Sequence, residues 1–206
     1  MSKYQLFGRS TAGSFFVECL LREAAVDYDF THVTRAQTKS DDFLAANPLA
    51  RIPVLITPQG HHIIETMAIF THLVEAFPQL APPVGDPRRD RMWQQVAVLG
   101  TSLYTTLHRY HHTYYIGPEE THEAIRDYAH IEALRWYDFM ESQLDPFLAG
   151  AAPMAADFYF FMMTRWVPDR ERMLANRPRM AAFIEAMRFH PTVDAVNLER
   201  GKPSGT

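Results

Sequence analysis

The sequence predicts an α/β domain followed by an all-helical domain. Three observations support this. Short apolar runs alternate with helical patterns up to about residue 78, no convincing strand follows them, and residues 78–90 hold four of the 14 prolines. A proline-rich stretch between two patterns is typical of a linker. We therefore predict domains at residues 1–78 and 88–206, joined by a linker at 79–87.

The first domain begins with a strand, a helix and a second strand. Tyr4–Phe7 is a short apolar strand candidate. Ser14–Val26 follows as a helix, with Phe15, Cys19 and neighbouring apolar residues on one face. Tyr28–Val33 is the second strand. Strand, helix and strand within about 30 residues predict a right-handed βαβ unit with parallel strands.

For the rest of this domain, the sequence predicts a short helix, a hairpin and a longer helix. Asp41–Ala46 is a weak helical turn. Pro53–Ile56 and His62–Ile64 are short apolar runs on either side of a Pro/Gly turn, which predicts a hairpin. Thr66–Phe77 is amphipathic and ends at Pro78. The predicted order is βαβαββα.

The second domain reads as helices throughout. Two long helical patterns cover Arg88–Tyr115 and Glu119–Leu148. Ala155–Val167 is almost entirely apolar, which predicts a buried helix. Shorter helices are predicted at Pro178–Phe189 and Thr192–Leu198.

Composition excludes several classes of protein. The net charge of −4 argues against binding to nucleic acid, which needs a basic surface. The single cysteine, Cys19, allows no intramolecular disulfide or zinc framework and fits a reducing cytosol. Met1–Gly8 has no apolar core of a signal peptide, and Met92–Leu107 is too polar to span a membrane. We expect a cytoplasmic protein without a membrane segment.

The dipeptide Ile52-Pro53 is a candidate binding element. Proline cannot donate a ladder hydrogen bond, so Pro53 belongs at a strand start or edge. If the bond is cis, the backbone N–H and C=O of Ile52 turn outward and can pair with a peptide-like ligand. The alternative is a trans proline that simply opens a strand.

Two predicted helix starts offer further ligand contacts. At Glu65-Thr66, the N–H and hydroxyl of Thr66 could bind a carboxylate and Glu65 an amino group. The alternative is ordinary capping by Thr66. In the loop before the first helix, a hydroxyl could stabilise a ligand thiolate. The alternative there is capping by Ser14 or Ser10.

These residues together resemble a known family. Asn47-Pro-Leu-Ala-Arg-Ile-Pro53-Val-Leu55, with Gly60 and Glu65-Thr66-Met-Ala-Ile69, is similar to the N-terminal domain of cytosolic glutathione S-transferases. Leu148–Asp157 and the last helices resemble their helical second domain. The resemblance implies a thioredoxin-like first domain, glutathione as co-substrate without a metal, and a homodimer. The Met67/Phe70 end of one helix and Arg88–Arg91 are candidates for its interface.

The resemblance also implies residue roles. Ile52, before a cis Pro53, would pair with the cysteinyl backbone of glutathione, and Glu65 and Thr66 would bind its γ-glutamyl end. Arg51 would lie near the glycine carboxylate, or be a solvated surface charge.

The residue that activates the thiol is left open by the sequence. The tyrosine of some classes falls at Phe7 and the cysteine of others near Gly13, so both are absent. The serine of further classes falls at Thr11, with Ser10 adjacent. We therefore predict a hydroxyl-type enzyme with Thr11 first and Ser10 second as catalytic candidates.

The electrophile is expected to bind against the helix that starts at Arg88. Tyr104, Arg109 and Tyr114 are candidates for lining this pocket. His108, His111 and His112 have a spacing that could hold a metal, although a polar helix face explains it better. A further departure from the family is Met154, which replaces the usual capping hydroxyl three residues before Asp157.

The predicted function is conjugation of glutathione, bound as a thiolate, to a small hydrophobic electrophile, as in detoxification. One alternative is a non-catalytic ligand carrier or adaptor with the same fold. Another is a glutathione-dependent isomerase or peroxidase.

Overall fold

The computed structural model describes residues 3–10 and 12–200. The chain forms two compact units, Met1–Ala81 with Arg188–Thr206, and Pro82–Met187. The sequence assigns residues 88–206 to one helical domain, whereas the structure groups the last helix with the first unit. The reason is that Val193 and Val196 of this helix are buried within that unit.

The first unit has the predicted order of elements. They are β1 (Tyr4–Gly8), α1 (Ser14–Glu23), β2 (Tyr28–His32), α2 (Asp41–Ala46), β3 (Val54–Ile56), β4 (His62–Ile64) and α3 (Thr66–Ala76). The order βαβαββα is that of a thioredoxin-like domain. Helix α1 ends three residues before the predicted Val26, because Ala25 takes a positive φ of 54°.

The strands form one mixed sheet in the order β2-β1-β3-β4. β1 and β2 are parallel, with Gly8 opposite His32. β3 is antiparallel to β1 and pairs Val54 with Phe7, while β4 is antiparallel to β3 and pairs Ile64 with Val54. The ends of β1, β2 and β4 and the start of β3 therefore share one edge of the sheet.

The core of this unit packs α1 and α3 against the sheet. Phe16 and Phe70 are fully buried, and their ring centroids lie 6.3 Å apart. Phe70 therefore supports the core and cannot provide the exposed interface residue that the sequence suggested. Cys19 is also fully buried, as expected of a small apolar side chain on this helix face.

The second unit is helical in its described residues. Its helices are α4 (Pro87–Val98), α5 (Tyr104–His111), α6 (His122–Gln143), α7 (Ala155–Thr164), α8 (Arg170–Leu174) and α9 (Pro178–Arg188), while α10 (Pro191–Glu199) belongs to the first unit. A π-helical turn at Leu99–Leu103 separates α4 from α5, so the predicted single helix over 88–115 is wrong in detail. The sequence also missed α8, which has one turn and starts where Asp169 accepts a hydrogen bond from Arg172 N.

Helix α7 is the buried helix that the sequence predicted, and all ten of its residues are buried. The carboxylate of Asp157 accepts hydrogen bonds from the backbone N–H of Leu148 at 2.8 Å and of Met154 at 2.9 Å. The hydrogen bond from the backbone of the cap residue to the Asp157 carboxylate thus forms, although Met154 has no hydroxyl to make the reciprocal bond. Within residues 3–10 and 12–200, none of the helices combines the length and hydropathy needed to cross a bilayer.

Candidate active site

The sequence-predicted ligand contacts of the first unit meet at one edge of the sheet. The loop after β1, the segment before β3 and the start of α3 all leave the sheet there. Gly13 shows how closely they approach, because a Cβ built on it would lie 3.2 Å from both Pro53 Cδ and Thr66 Cγ2. The N-terminal ends of α1 and α3 therefore lie beside Pro53.

The Ile52–Pro53 peptide bond is cis. Ile52 is half-buried and precedes β3, so it lies outside the strand ladder. The loop before it is fixed by Asn47, a buried residue that the sequence analysis did not single out. Asn47 Nδ2 donates to the carbonyl of Arg51 at 2.7 Å, and its Oδ1 accepts from Leu49 N at 2.9 Å. The hydrogen bonds of Asn47 thus fix the backbone from which the exposed Arg51 side chain projects.

Glu65 occupies the cap position of α3, and Thr66 is its first helical residue. Glu65 makes no side-chain capping hydrogen bond and is exposed. The alternative of ordinary capping by Thr66 is therefore wrong. A helix start without a capping side chain leaves N–H groups that can bind a carboxylate.

The loop between β1 and α1 carries the candidate thiol-activating hydroxyls. Ser10 is half-buried in a turn, whereas Thr11 lies outside the described residues. Ser14 is buried; its hydroxyl donates to Arg9 O at 2.7 Å and accepts from Arg9 N at 2.9 Å. Gly13 holds the cap position, so Ser14 braces the loop rather than capping α1.

In the second unit, Tyr104 and Tyr114 belong to one cluster of rings. Tyr104 stacks on His108 with centroids 6.2 Å apart, His108 lies 4.6 Å from His112, and the Tyr114 hydroxyl lies 3.0 Å from His112 Nδ1. Arg109 points elsewhere, since it pairs with Glu132 of α6 and donates to Thr106 Oγ1 at 3.2 Å. The structure therefore brings two of the three predicted pocket residues into one cluster.

The three histidines of α5 and its end have other contacts. His111 Nε2 lies 2.6 Å from the carbonyl oxygen of Trp166, and His108 stacks on Tyr115 with centroids 6.0 Å apart. In the described part of the chain, no group of His, Cys, Asp and Glu is arranged to hold a metal ion.

The first unit is thus a thioredoxin-like domain whose cis-proline loop faces two helix N-termini. Residues 2–75 match the family model of the glutathione S-transferase N-terminal domain. The whole chain is similar to glutathione S-transferase GstA of Escherichia coli O157:H7, with 28% identity over 204 residues, which cover 95% of this chain and 98% of the relative.

Solved structures agree with these matches. A glutathione transferase from Methylococcus capsulatus is 27% identical, with a TM-score of 0.82 over 96% of this chain and 98% of that chain. A glutathione transferase homologue from Sulfitobacter, with bound glutathione, is 22% identical, with a TM-score of 0.86 over 97% of this chain and 99% of that chain. The first unit thus matches the N-terminal domain of glutathione S-transferases, and nearly the whole chain is similar to members of that family.

Proposed function

We propose that this protein is a glutathione transferase that binds glutathione as a thiolate and joins it to a small hydrophobic electrophile. The observation that carries the proposal is the close approach of Gly13 to Pro53 and Thr66, at 3.2 Å from a Cβ built on the glycine. It places the positive ends of two helices beside the cis-proline segment.

Glutathione fits this edge as a short extended peptide. The N–H and C=O of Ile52 would pair with its cysteinyl backbone. Thr66 and the free N–H groups of α3 would bind the γ-glutamyl carboxylate, and Glu65 would hold the amino group. Arg51 would face the glycine carboxylate. The homologue from Sulfitobacter, which shares the fold, holds bound glutathione.

The thiol would lie at the N-terminal end of α1. A free thiol has a pKa of about 8.5, so little thiolate exists at neutral pH. The helix end and a hydroxyl of Thr11 or Ser10 would stabilise the thiolate and lower that pKa. The thiolate would then form a carbon–sulfur bond to the electrophile held next to it as the bond to the leaving group breaks, without a protein nucleophile or a metal.

We propose that residues of the second unit contact the electrophile. Tyr104 and Tyr114 would contact the electrophile, whereas Arg109 would first have to leave Glu132. We also propose that the chain forms a homodimer in the cytoplasm.

The test is to follow thiolate absorbance of bound glutathione against pH in the wild type, Thr11→Val and Ser10→Ala. We expect thiolate in the wild type well below the pKa of free glutathione, and a shift back towards that pKa in one of the two variants. Ser142→Ala serves as the control, since it removes an exposed hydroxyl from α6 and leaves the β1–α1 loop intact. Binding of glutathione without any lowered pKa would contradict the proposal and indicate a carrier.

A further inference from the structure

Two arginines follow neighbouring strands at the edge that holds the candidate site. Gly8 is opposite His32 in the parallel pair β1–β2, and Val33 N donates to Gly8 O at 3.0 Å. Arg9 leaves the sheet directly after β1, and Arg35 lies three residues after the end of β2. In parallel sheets, ligands bind beyond the carboxyl ends of the strands.

The strand register places Arg9 and Arg35 beyond the same end of two neighbouring strands. Burial and the positive charge of Arg35 both lower the pKa of Arg9. Within residues 3–10 and 12–200, neither arginine forms an ion pair with an acidic side chain. Five other arginines of the described chain do pair with carboxylates: Arg22, Arg88, Arg109, Arg177 and Arg200.

The position of Arg9 is also fixed. Ser14, fully buried, holds both the N–H and the carbonyl of Arg9. The Arg9 side chain is half-buried, so its charge is partly removed from water without a carboxylate in return. Such an arrangement costs free energy unless an anion from outside the chain neutralises it.

We propose that Arg9 and Arg35 form a subsite for a carboxylate on the electrophile, so that the preferred electrophiles are anionic. The planar guanidinium fork matches a carboxylate in geometry as well as in charge. Arg9 directly precedes Ser10 and Thr11, the hydroxyls proposed to hold the thiolate, which favours the electrophile over the glycine end of glutathione. The inference rests on the proposed function for the identity of the reaction.

A pair of matched electrophiles tests the subsite. Chlorodinitrobenzene is neutral, and in chloronitrobenzoate one nitro group is replaced by a carboxylate. With both, the thiolate forms a bond to the carbon that bears chlorine, the carbon–chlorine bond breaks, and chloride leaves. The two electrophiles differ in intrinsic reactivity, so for each of them a variant is compared with the wild type.

We expect Arg35→Met and Arg9→Met to lower kcat/KM for chloronitrobenzoate by about tenfold or more, because each removes a charged hydrogen bond. The kcat/KM for chlorodinitrobenzene and the KM for glutathione should change by less than about twofold. Lys39→Met, which removes an exposed positive charge from the same β2–α2 connection, is the matched control and should affect neither electrophile. Arg35→Lys should recover part of the loss, because it keeps the charge but not the fork.

Two outcomes would overturn the proposal. Equal losses with both electrophiles, together with a raised KM for glutathione, would assign the arginines to the glycine carboxylate instead. Unchanged kinetics with both electrophiles would show that no ligand reaches the pair. If the wild type conjugates neither compound, the proposed function fails. The subsite is then tested by calorimetric titration with unreactive nitrobenzoate, which should bind the wild type and lose about tenfold in affinity in Arg35→Met.

Discussion

Glu65 is held in a backbone conformation that non-glycine residues disfavour. Its φ is 69° and its ψ 128°, although its side chain is exposed and does not cap α3. Residues in such regions cost of order 1–3 kcal/mol and cluster at ligand sites. The fold gains nothing from this side chain that would offset the strain, so a ligand contact is the better explanation.

Glu65→Gly is therefore expected to separate stability from binding. Glycine relieves the positive φ, which outweighs its own conformational entropy cost, so the free energy of unfolding should rise by about 1 kcal/mol. Glutathione affinity should fall by about tenfold, because the charged contact to the amino group is lost. Urea denaturation and calorimetric titration measure the two effects.

Glu65→Ala is the matched control for this pair of measurements. It removes the same carboxylate but keeps a Cβ, so it should lose the same affinity and gain no stability. Glutathione binding at wild-type strength in both variants would remove Glu65 from the site.

At the scale of elements, Asp157 holds the start of α7 at an electrostatic cost. The residue is fully buried, and burial raises the pKa of its carboxyl to about 7, while the backbone N–H groups of Leu148 and Met154 oppose the shift. The ionised carboxylate is the better acceptor for these N–H groups. It is also the form whose removal from water costs free energy.

This raised pKa predicts a pH-dependent stability. The folded-state pKa lies above the ordinary value of 3.8, so the stabilising contribution of protonated Asp157 is fully present below about pH 4 and is lost as the pH rises through 7. The loss should amount to a few kcal/mol, at about 1.4 kcal/mol for each unit of pKa difference. Urea denaturation from pH 4 to pH 8 measures it.

Asp157→Asn provides the comparison, because its amide does not ionise. The difference in unfolding free energy between wild type and variant should shift in favour of the variant as the pH rises from 4 to 8. A constant difference over this range would show that Asp157 keeps an ordinary pKa in the folded state.

The helices and strands differ in whether they could be predicted from the sequence. Apolar periodicity predicted β1, α1, α3 and the buried α7, since each depends on a pattern within its own residues. It did not predict the π-helical turn at Leu99–Leu103, which inserts into an uninterrupted helical pattern. Helix α8 was missed because its five residues are too few for a periodic signal.

The residues of the candidate site also fall into those that the sequence could predict and those that it could not. Ile52, Pro53, Glu65 and Thr66 could be found because they form two short motifs within about 15 residues of the chain. Arg9 and Arg35 could not be found in this way, since their shared edge of the sheet follows from the register of two strands 20 residues and more apart. In the sequence, nothing distinguishes Arg9 and Arg35 from the other arginines.

At the scale of the whole molecule, an ion pair ties the residue that follows α10 to α1 inside the first unit. Glu18 of α1 is 1% exposed and accepts hydrogen bonds from Arg200 Nε at 3.1 Å and from the Tyr28 hydroxyl at 2.8 Å. The Arg200 guanidinium also lies 3.8 Å from the centroid of the Phe30 ring. Among the residues that the structure describes, Arg200 is the cation that pairs with this buried carboxylate, so the docking of α10 depends on it.

Arg200→Met should therefore be strongly destabilising. It leaves Glu18 buried without its cation, which costs about 3–5 kcal/mol. Lys3→Met is the control, because the Lys3–Asp29 pair spans 3.6 Å between side chains that are 49% and 66% exposed. Exposed pairs of this kind contribute at most about 1 kcal/mol. Urea denaturation of both variants at low and high salt compares the two pairs.

The double variant Glu18→Leu/Arg200→Met distinguishes loss of a charge partner from loss of packing. Since it removes both buried charges, it should regain most of the stability lost in Arg200→Met. Salt should change the stability of the wild type little through this pair, because Glu18 is shielded from solvent. If Arg200→Met costs no more than Lys3→Met, the buried ion pair contributes nothing to the docking of α10, which is then held by its other contacts, the packing of Val193 and Val196 and the Arg22–Glu199 ion pair among them.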